Sequence, residues 1–321
     1  MKAAIVRAAG LPPVYGDFAE PIAEPGETRI AVAAAALSPL ARARASGAHY
    51  SAAGQYPAVV GVDGVGRLDD GRRVYFMLPR APWGAMAEFI VAPATQIAPL
   101  PEGLDDATAA ALANPGMSSW AAFKERAKLK AGETVLINGA TGSAGRLAVQ
   151  IAKHFGAERV IATGRNPEAL RSLGADATVT LGDDEDALED RFRQAFADGV
   201  DVVVDYLWGK SAERLLVAAA KGLREDAGLR FVQVGSASGP NIALPSAVLR
   251  SKAIALMGSG LGSVPRDKLA ADIGELLQAA ATRGFAIPLR AVPLSQVERA
   301  WGESESAART VFTIGAPAAK I

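Results

Sequence analysis

The pattern of apolar residues changes about a third of the way along the chain. From residue 108 onward, short apolar runs alternate with stretches in which apolar residues recur every three or four positions, as on one face of a helix. The apolar runs predict strands near residues 134–138, 160–163, 177–181, 200–204, 229–234 and 253–257. Because strands that alternate with helices build a parallel sheet covered on both faces, this part predicts an α/β domain with a doubly wound parallel sheet.

The first hundred residues have a different texture. Their short alternating or apolar runs are separated by Pro and Gly and predict an irregular β-rich domain, with strands over residues 28–37, 59–65, 73–77 and 87–91. After Pro265 the pattern gives an amphipathic helix to residue 281, a strand at 287–292, a short helix near Trp301 and a closing strand at 310–314. We therefore predict that residues 1–112 and 262–321 form one domain and residues 113–261 the other.

Glycines follow the first strand of the α/β part at the spacing GxxGxxG. An apolar strand from Thr134 to Asn138 is followed by Gly139, Gly142 and Gly145 and then by a helix. Glycines there permit a tight turn, close approach of the backbone to phosphate and close packing of helix on strand, and the first amides of the helix can bind an anion. Strand, loop, helix and strand together predict a dinucleotide pyrophosphate site, whereas a merely structural glycine turn is the alternative. The loop comprises Gly139, Ala140, Thr141, Gly142, Ser143, Ala144 and Gly145.

The end of the second strand indicates which dinucleotide binds. NAD sites place an acidic residue about 20 residues after the glycines, at the ribose 2′-hydroxyl, whereas a 2′-phosphate requires a cation. Here the strand ends in Thr163, Gly164, Arg165 and Asn166, with no carboxylate before Glu168. Arg165 offers a planar fork suited to phosphate oxygens, so NADPH is favoured over NADH. In the alternative interpretation Arg165 is a solvated loop cation and Asn166 caps a helix.

Composition narrows the functional classes. The 321 residues have a formal net charge of zero, and no segment concentrates Lys and Arg, so nucleic acid is not an expected partner. Charged residues interrupt the first apolar run, and no run reaches membrane-spanning length, so we expect a cytoplasmic protein without membrane attachment. The chain contains no Cys and two His, which leaves few zinc ligands, and we expect no metal site.

In the order of its parts and in its motifs, the chain resembles the medium-chain dehydrogenase/reductase superfamily, and within it the zinc-independent quinone oxidoreductase branch. The motifs besides the glycine loop are Gly61-Val-Asp-Gly-Val-Gly66, Trp83-Gly-Ala-Met-Ala-Glu88, Asn114-Pro-Gly-Met-Ser-Ser-Trp120, Ala131-Gly-Glu-Thr134, Asp201-Val-Val-Val-Asp-Tyr206 and Phe231-Val-Gln-Val-Gly-Ser236. The resemblance implies a Rossmann domain that binds NADPH and a GroES-like β-rich domain for the substrate.

Two departures from the superfamily patterns are informative. The zinc alcohol dehydrogenases have an early Cys, a Gly-His-Glu motif and a four-cysteine lobe, whereas this chain has Gly61-Val-Asp63 and no Cys. Quinone oxidoreductases usually have Asn and Asp where this chain has Ser38 and Ala41. The resemblance therefore implies chemistry without zinc, in a substrate pocket that differs from that of the branch.

The resemblance also implies further site residues. Ser118 stands where the family often has Thr and would reach the nicotinamide region, while Tyr206 would begin a loop over the cofactor. The segments expected to line the cofactor from the strand tips comprise Val234, Gly235, Ser236, Gly258, Ser259 and Gly260. A flexible hinge is the alternative for residues 258–260.

A polar loop after residue 46 contains the candidate proton donors. Tyr50 lies where family members have a pocket tyrosine, and His49 can donate a proton near neutral pH, so either can protonate an enolate oxygen. In the alternative interpretation this is an ordinary surface loop. His154 is offset from the apolar face of its helix and is expected to be solvated.

The implied activity is hydride transfer from NADPH to a small-molecule acceptor, either a quinone or an α,β-unsaturated carbonyl compound. The alternative is an NADPH-binding protein without turnover, a redox sensor or structural protein, because a fold alone does not guarantee a function. In relatives the last sheet strand, residues 253–258 here, commonly pairs across a two-fold axis, so a homodimer is expected.

Overall fold

A computed structural model describes residues 1–49, 51–52, 54–182, 184–303 and 308–315. The chain divides into two compact units. Unit 1 consists of Met1–Asn114 and Arg266–Ile321, and unit 2 of Pro115–Pro265. No helix within the described ranges is long and apolar enough to cross a membrane.

In the described residues the strands, in chain order, are β1 (Lys2–Val6), β2 (Val14–Asp17), β3 (Glu27–Ala36), β4 (Ala58–Val59), β5 (Asp63–Arg67), β6 (Arg73–Met77), β7 (Phe89–Pro93), β8 (Ile97–Pro99), β9 (Thr134–Asn138), β10 (Arg159–Gly164), β11 (Ala177–Thr180), β12 (Val202–Asp205), β13 (Gly228–Gln233), β14 (Ala253–Gly258), β15 (Leu289–Pro293) and β16 (Arg309–Thr313). The α-helices are α1 (Pro39–Ala45), α2 (Asp106–Ala121), α3 (Ser143–His154), α4 (Pro167–Arg171), α5 (Glu185–Ala197), α6 (Gly209–Gly222), α7 (Ser246–Ser251), α8 (Arg266–Arg283) and α9 (Val297–Trp301).

Unit 2 is built on a parallel sheet. Its strands lie in the order β11-β10-β9-β12-β13-β14, and every adjacent pair is parallel. The chain runs outward from β9 through β10 and β11, then returns to the other side of β9 with β12 and continues outward to β14. This is the doubly wound α/β arrangement that the alternation of apolar runs predicted, and that prediction is confirmed.

The helix after the glycine loop shows why the local prediction succeeded. Leu147, Ala148, Ile151 and Ala152 recur on one face of α3, and all four are buried. The helix ends at His154, and Gly156 follows with φ +84°, a left-handed conformation that glycine adopts without steric cost. Helical periodicity and the terminal glycine therefore fix both the buried face and the end of this element.

Unit 1 contains two sheets. The larger has the order β15-β16-β3-β5-β6-β8, with β7 also paired to β3, and the smaller has the order β2-β1-β4. The core of the larger sheet includes the buried side chains of Leu37, Phe76, Met86 and Phe312. The β-rich domain predicted from the short runs is thus observed.

One predicted strand of unit 1 was wrong as a single element. Residues 59–65 form parts of two strands, β4 and β5, because Gly61 between them has φ +102°. A Cβ on Gly61 would lie 2.9 Å from the backbone nitrogen of Met86, so the chain also passes another backbone there too closely for a side chain. Hydrophobicity alone cannot reveal such a break inside an apolar run.

A buried carboxyl group lies in β5. Asp63 is 2% exposed, and its Oδ2 accepts a hydrogen bond of 3.1 Å from the Tyr75 hydroxyl. Burial raises the pKa of Asp63 to about 6, although the positive charge of buried Arg309 and the Tyr75 hydrogen bond both oppose the rise. The folded state therefore holds a proton on Asp63 more tightly than the unfolded chain does.

This difference predicts a pH dependence of stability. Between pH 4 and 6 the folded state binds more protons than the unfolded state, so the contribution of Asp63 is fully present below the unfolded pKa and is lost as the pH rises through about 6. Relative to Asp63→Asn, the wild type is expected to lose about 2 kcal/mol of unfolding free energy between pH 4 and 7, since one pKa unit corresponds to about 1.36 kcal/mol and part of the effect falls outside this range. Urea unfolding at several pH values measures the difference.

Asp69→Asn is the matched control, because the Asp69 side chain is 84% exposed. Its unfolding free energy is expected to follow that of the wild type over the same range. If the unfolding free energies of the wild type and Asp63→Asn change in parallel with pH, the folded state does not hold an extra proton on Asp63.

Candidate functional site

The carboxyl ends of five neighbouring strands of unit 2 gather most of the predicted cofactor residues. The chain leaves β9 toward β10 on one side and returns to β12 on the other, so the direction of winding changes between β9 and β12. Open α/β sheets bind ligands beyond the carboxyl ends of the strands at such a position. The predicted residues at these ends are Gly139–Gly145 after β9, Thr163–Asn166 at β10, Tyr206 after β12, Val234–Ser236 after β13 and Gly258–Gly260 at β14.

The three glycines of the loop serve different purposes. Gly139 has φ +90° and leaves no room for a Cβ, which would lie 2.8 Å from Leu207 Cδ2. Gly145 allows α3 to pack on the loop, because a Cβ there would lie 2.4 Å from the Gly139 carbonyl oxygen. At Gly142 the φ is −76°, and a Cβ would meet no atom within 4 Å. The protein thus has no steric need for glycine at position 142, and the open space there suits a phosphate group.

The start of α3 supplies donors to that space. The first N–H groups of an α-helix have no acceptor within the helix, and the helix dipole places partial positive charge at them. These groups belong to Ser143, Ala144 and Gly145, while the N–H of Arg146 already donates to the Gly142 carbonyl. The Arg146 Nε donates to the Thr141 carbonyl at 2.9 Å and so braces the loop from the helix side. The chemistry of this loop fits a dinucleotide pyrophosphate.

A buried polar network holds the loop against the sheet. Asn138, the last residue of β9, donates from Nδ2 to Asp205 Oδ1 at 2.8 Å and to Ser211 Oγ at 2.9 Å, and its Oδ1 accepts from the Thr163 hydroxyl at 2.7 Å. The same Thr163 oxygen accepts from the N–H of Gly139 at 3.1 Å. One amide side chain therefore links the ends of β9, β10 and β12 to the first glycine of the loop.

Asp205 extends this network to the loop that follows β12. Its carboxylate accepts from the backbone N–H groups of Leu207 and Trp208 at 3.0–3.2 Å. Burial raises the pKa of Asp205 above its ordinary value, and these donors together with Asn138 oppose the rise. Trp208 adopts φ +57°, which is unfavourable for a residue other than glycine, so the carboxylate holds a strained turn in place.

Arg165 and Asn166 occupy the tip of β10. Asn166 Oδ1 accepts from the N–H groups of Glu168 and Ala169 at 2.9 and 3.2 Å, which makes it the N-cap of α4, as the alternative interpretation had it. Arg165 is exposed, and within the part of the chain that the structure describes its guanidinium has no hydrogen bond or ion pair. Nothing described in the protein therefore competes with a phosphate for Arg165.

Ser118 and Tyr206 are brought together in unit 2. The Ser118 hydroxyl donates to the Pro115 carbonyl at 2.6 Å, and its oxygen lies 3.4 Å from the Tyr206 hydroxyl. Burial raises the pKa of Tyr206 to about 12, so the phenol stays protonated near neutral pH. The two hydroxyl groups thus form a polar pair in unit 2.

Backbone hydrogen bonds fix the segments after β13 and β14. The N–H groups of Val234 and Gly235 both donate to the Asp205 carbonyl, at 2.8 and 3.1 Å, and the N–H of Ser259 donates to the Gln233 carbonyl at 2.8 Å. The Ser263 hydroxyl accepts from the N–H of Gly260 at 2.7 Å. These turns are tied to the adjacent strands.

The candidate proton donors belong to unit 1. The His49 Nδ1 accepts from the backbone N–H of Ser51 at 3.1 Å and lies 2.8 Å from the Ser51 hydroxyl. A neutral His49 therefore carries its proton on Nε2 and can donate a hydrogen bond from it, whereas transfer of a proton requires the charged imidazolium form. Burial and the charge of Arg44 lower the pKa of His49. Tyr50 lies outside the described residues.

The second histidine is exposed, as expected, but it also has a packing role. The His154 ring lies 5.3 Å from the Trp120 ring, centroid to centroid, and that indole also meets Phe155 edge-on at 4.8 Å. His154 is at the end of α3 that is remote from the glycine loop.

The site residues that the sequence did not single out are Asn138, Asp205, Ser211 and Arg146. The available signal was a polar residue that ends an otherwise apolar strand, as in Thr134-Val-Leu-Ile-Asn138 and Val202-Val-Val-Asp205. Residues at adjacent strand ends meet in space only once the strand order is known. In the described ranges, no group of three or more His, Asp and Glu side chains could hold a metal ion.

The fold and site define the class of protein as an α/β dinucleotide-binding protein with a second, β-rich unit. Residues 144–281 match the family described as zinc-binding dehydrogenase. A probable NADPH-dependent quinone reductase of Emericella nidulans is 29% identical over an alignment of 363 residues, which covers 98% of this chain and the whole relative. The quinone oxidoreductase of Thermus thermophilus, solved also in complex with NADPH, superposes with a TM-score of 0.79 at 28% identity, over 98% of this chain and 100% of that one.

A third relative has a different organisation. The phthioceranic/hydroxyphthioceranic acid synthase of Mycobacterium tuberculosis is 34% identical over 224 residues, which are 66% of this chain but only 10% of the synthase. These matches support the medium-chain dehydrogenase/reductase superfamily, and within it a quinone oxidoreductase-like protein, as the motifs implied. It is an oxidoreductase.

Proposed function

We propose that this protein reduces a quinone or an α,β-unsaturated carbonyl compound with NADPH and without zinc. When bound, NADPH supplies a hydride from its nicotinamide ring. An enone acceptor gains the hydride at its β-carbon, the electron pair of the C=C bond moves to give an enolate, and the enolate takes up one proton. A quinone acceptor gains one hydride and one proton in total and becomes a hydroquinone. The protein orients the reactants and stabilises the developing oxyanion.

One observation carries the cofactor part of this proposal. The loop from Gly139 to Gly145 leaves open space at Gly142, beside amides of α3 that lack helical acceptors, and Arg165 has no partner among the described residues. A pyrophosphate at the loop and a 2′-phosphate at Arg165 would satisfy these donors. The relatives named for NADPH support the same assignment. NADPH is therefore the cofactor, and unit 2 is the part that holds it.

The activity is tested by following NADPH absorbance with a panel of neutral quinones and enones. Oxidation that depends on the protein and on one of these acceptors is expected. Binding of NADPH without oxidation on any acceptor would overturn the proposed activity. It would favour the second candidate, an NADPH-binding protein without turnover.

The second candidate rests on the unusual residues at positions 38 and 41. Ser38 is fully buried, and its Oγ accepts from the N–H of Ala41 at 2.9 Å as the N-cap of α1, while Ala41 is itself buried. Both residues thus have structural roles, and neither brings an acid or base to a pocket. The turnover assay decides between the two candidates.

Arg165→Ala is expected to weaken NADPH binding about 10- to 100-fold and to leave NADH binding unchanged. The physical reason is the loss of charge-assisted hydrogen bonds to a group that only NADPH carries. Fluorescence titration with the two cofactors measures the ratio of dissociation constants.

Arg224→Ala is the matched control for Arg165. Arg224 is also exposed, but it lies between α6 and β13, at the amino ends of the strands. Its removal is expected to change neither constant. If Arg165→Ala weakens both cofactors equally, Arg165 does not distinguish them and the assignment is wrong.

For the proton, we propose Tyr50 or His49 as the donor in unit 1. His49 presents Nε2–H in its neutral form. Tyr50→Phe and His49→Gln identify the donor, because the variant that lacks it is expected to lose turnover with an enone. Full turnover in both variants would exclude the pair.

A homodimer is also part of the proposal. The edge strand β14 pairs only with β13 among the described residues, and Leu256 on it is 37% exposed. Pairing of this edge with a second copy would cover unpaired backbone groups. Sedimentation is expected to give twice the chain mass of 33.0 kDa.

A further inference from the structure

A cavity of about 70 Å³ lies wholly in unit 1. Polar and apolar groups both form its wall, with Val60, Tyr56, Pro82 and Trp83 among the lining residues. A water-sized group needs about 10–15 Å³ of such space, so the cavity has room for a carboxylate and a few further atoms. It belongs to the unit that the family resemblance assigns to the substrate.

Two of the polar side chains in the described wall already have partners. The Tyr56 hydroxyl donates to the Ala45 carbonyl at 3.0 Å, and Trp83 Nε1 donates to the Ala19 carbonyl at 2.9 Å. Arg44 and Gln55 also line the cavity, and among the described residues neither side chain has a hydrogen bond or ion pair. The donors left for a bound molecule are therefore the guanidinium of Arg44 and the amide of Gln55.

Arg44 is a half-buried cation that forms no ion pair with a described residue. Burial lowers its pKa, and the positive charge of Arg266 lowers it further. No carboxylate of the described residues contributes to its electrostatic environment. Arg44 lies in the last turn of α1, where a cation interacts favourably with the helix dipole, but that interaction does not require burial.

Arg44 also acts electrostatically on a nearby basic side chain. The charge of Arg44 also lowers the pKa of His49, so the two side chains are close enough to interact. Partly buried cations are normally paired, because desolvation without compensation is costly. The positive charges of Arg44 and Arg266 therefore act on each other, and the charge of Arg44 also acts on His49.

We propose that this cavity binds a carboxylate of the hydride acceptor, through the guanidinium of Arg44 and the amide of Gln55. The planar fork of an arginine matches the two oxygens of a carboxylate. Unit 1 would then select acceptors that carry an acid group beside the enone or quinone. That the bound acid is the acceptor rests on the proposed function, whereas carboxylate binding itself does not.

The kinetic test compares an acid with its neutral ester. The enone (E)-4-oxopent-2-enoate and its methyl ester have the same reacting atoms and differ in charge. The wild type is expected to have the higher kcat/KM for the acid, and the acid-to-ester ratio is expected to fall about tenfold or more in Arg44→Gln. Arg44→Lys, which keeps the charge, is expected to retain more of the ratio than Arg44→Gln does. An unchanged ratio in Arg44→Gln would overturn the proposal.

A binding test is independent of turnover and of the folding of any Arg44 variant. The chain has two histidines, so His154→Gln assigns their NMR signals, leaving His49 as the reporter. With NADP⁺ present, levulinate is expected to raise the pKa of His49 by about half a pH unit or more, because a nearby negative charge favours the protonated ring. Methyl levulinate and inorganic phosphate are expected to have no such effect.

Together, the kinetic and binding tests distinguish failure of the proposed activity from failure of the proposed carboxylate site. If neither the acid nor the ester is reduced while levulinate still raises the pKa of His49, the proposed activity fails and the carboxylate site stands. If both are reduced without discrimination and levulinate leaves His49 unchanged, the activity stands and the carboxylate site is wrong. An equal effect of inorganic phosphate would show a general anion site and would overturn the carboxylate assignment.

Discussion

Gly145→Ala is expected to destabilise unit 2 and to abolish measurable NADPH binding. The new Cβ would lie 2.4 Å from the Gly139 carbonyl oxygen and 2.5 Å from Ala140 Cα, and both are backbone atoms. Neither can rotate away, so α3 must move off the loop or the loop must open. Overpacking of this kind costs about 1–3 kcal/mol or more, and the shift separates the helix amides from the phosphate position. Thermal unfolding and NADPH titration measure the two effects.

Gly142→Ala is the matched variant, with the same chemical change three residues earlier. Its Cβ meets no protein atom within 4 Å and its φ of −76° suits alanine, so the fold should tolerate it. The stability cost comes from the N-cap position, where glycine is preferred over alanine by about 0.5 kcal/mol. Binding of NADPH is nevertheless expected to weaken about tenfold or more, because the methyl group enters the space proposed for phosphate.

The contrast between the two variants carries the test. The proposed phosphate position at Gly142 would be supported if Gly145→Ala lowers the stability of the protein while Gly142→Ala lowers only its affinity for NADPH. Wild-type NADPH affinity in Gly142→Ala would place the phosphate elsewhere. A wild-type melting temperature in Gly145→Ala would contradict the packing of α3 on the loop.

Asn138→Leu is expected to lower the unfolding free energy by about 2–4 kcal/mol and to weaken the affinity for NADPH. The leucine has a similar size but cannot donate to Asp205 and Ser211 or accept from Thr163. Each buried group left without its partner costs about 1–3 kcal/mol, and the charged Asp205 is the most costly. The N–H of Gly139 also loses the support that fixes its Thr163 acceptor.

Ser211→Ala is the control for this network. It removes a single hydrogen bond at the partly buried edge, so about 1 kcal/mol of destabilisation and unchanged NADPH affinity are expected. Urea unfolding and cofactor titration on both variants give the comparison. Equal effects of the two substitutions would show that Asn138 has no special role in positioning the loop.

Periodicity and glycine spacing predicted the cofactor half of the molecule well, because both are local properties. The buried face of α3 follows from the spacing of Leu147, Ala148 and Ile151, and its end follows from Gly156. The strands of a buried parallel sheet are continuous apolar runs, and each strand of unit 2 corresponds to one such run in the sequence. The β-rich unit was less predictable, since Gly61 divides an apolar run at a close approach to Met86 that is distant in sequence.

The sequence could not assign different roles to the three glycines. Gly139, Gly142 and Gly145 have the same side chain and regular spacing, but only the arrangement of Leu207 and the loop carbonyls makes two of them sterically necessary. The same holds for Asn138, Thr163 and Asp205, which lie at least 25 residues apart and meet because their strands are neighbours.

By itself, the sequence determined the organisation into an α/β part and a β-rich part and the position of the glycine loop. It also determined the cation at the end of β10 and the absence of cysteine ligands. Each of these depends only on residue type and local spacing. Tertiary structure alone decided which glycine faces open space and which polar side chains secure the loop. It also decided that Arg44 lines a cavity of unit 1 with no partner among the described residues. These properties depend on contacts between groups that are distant in the sequence. They also depend on the order of the strands in the sheet, which no local sequence pattern specifies.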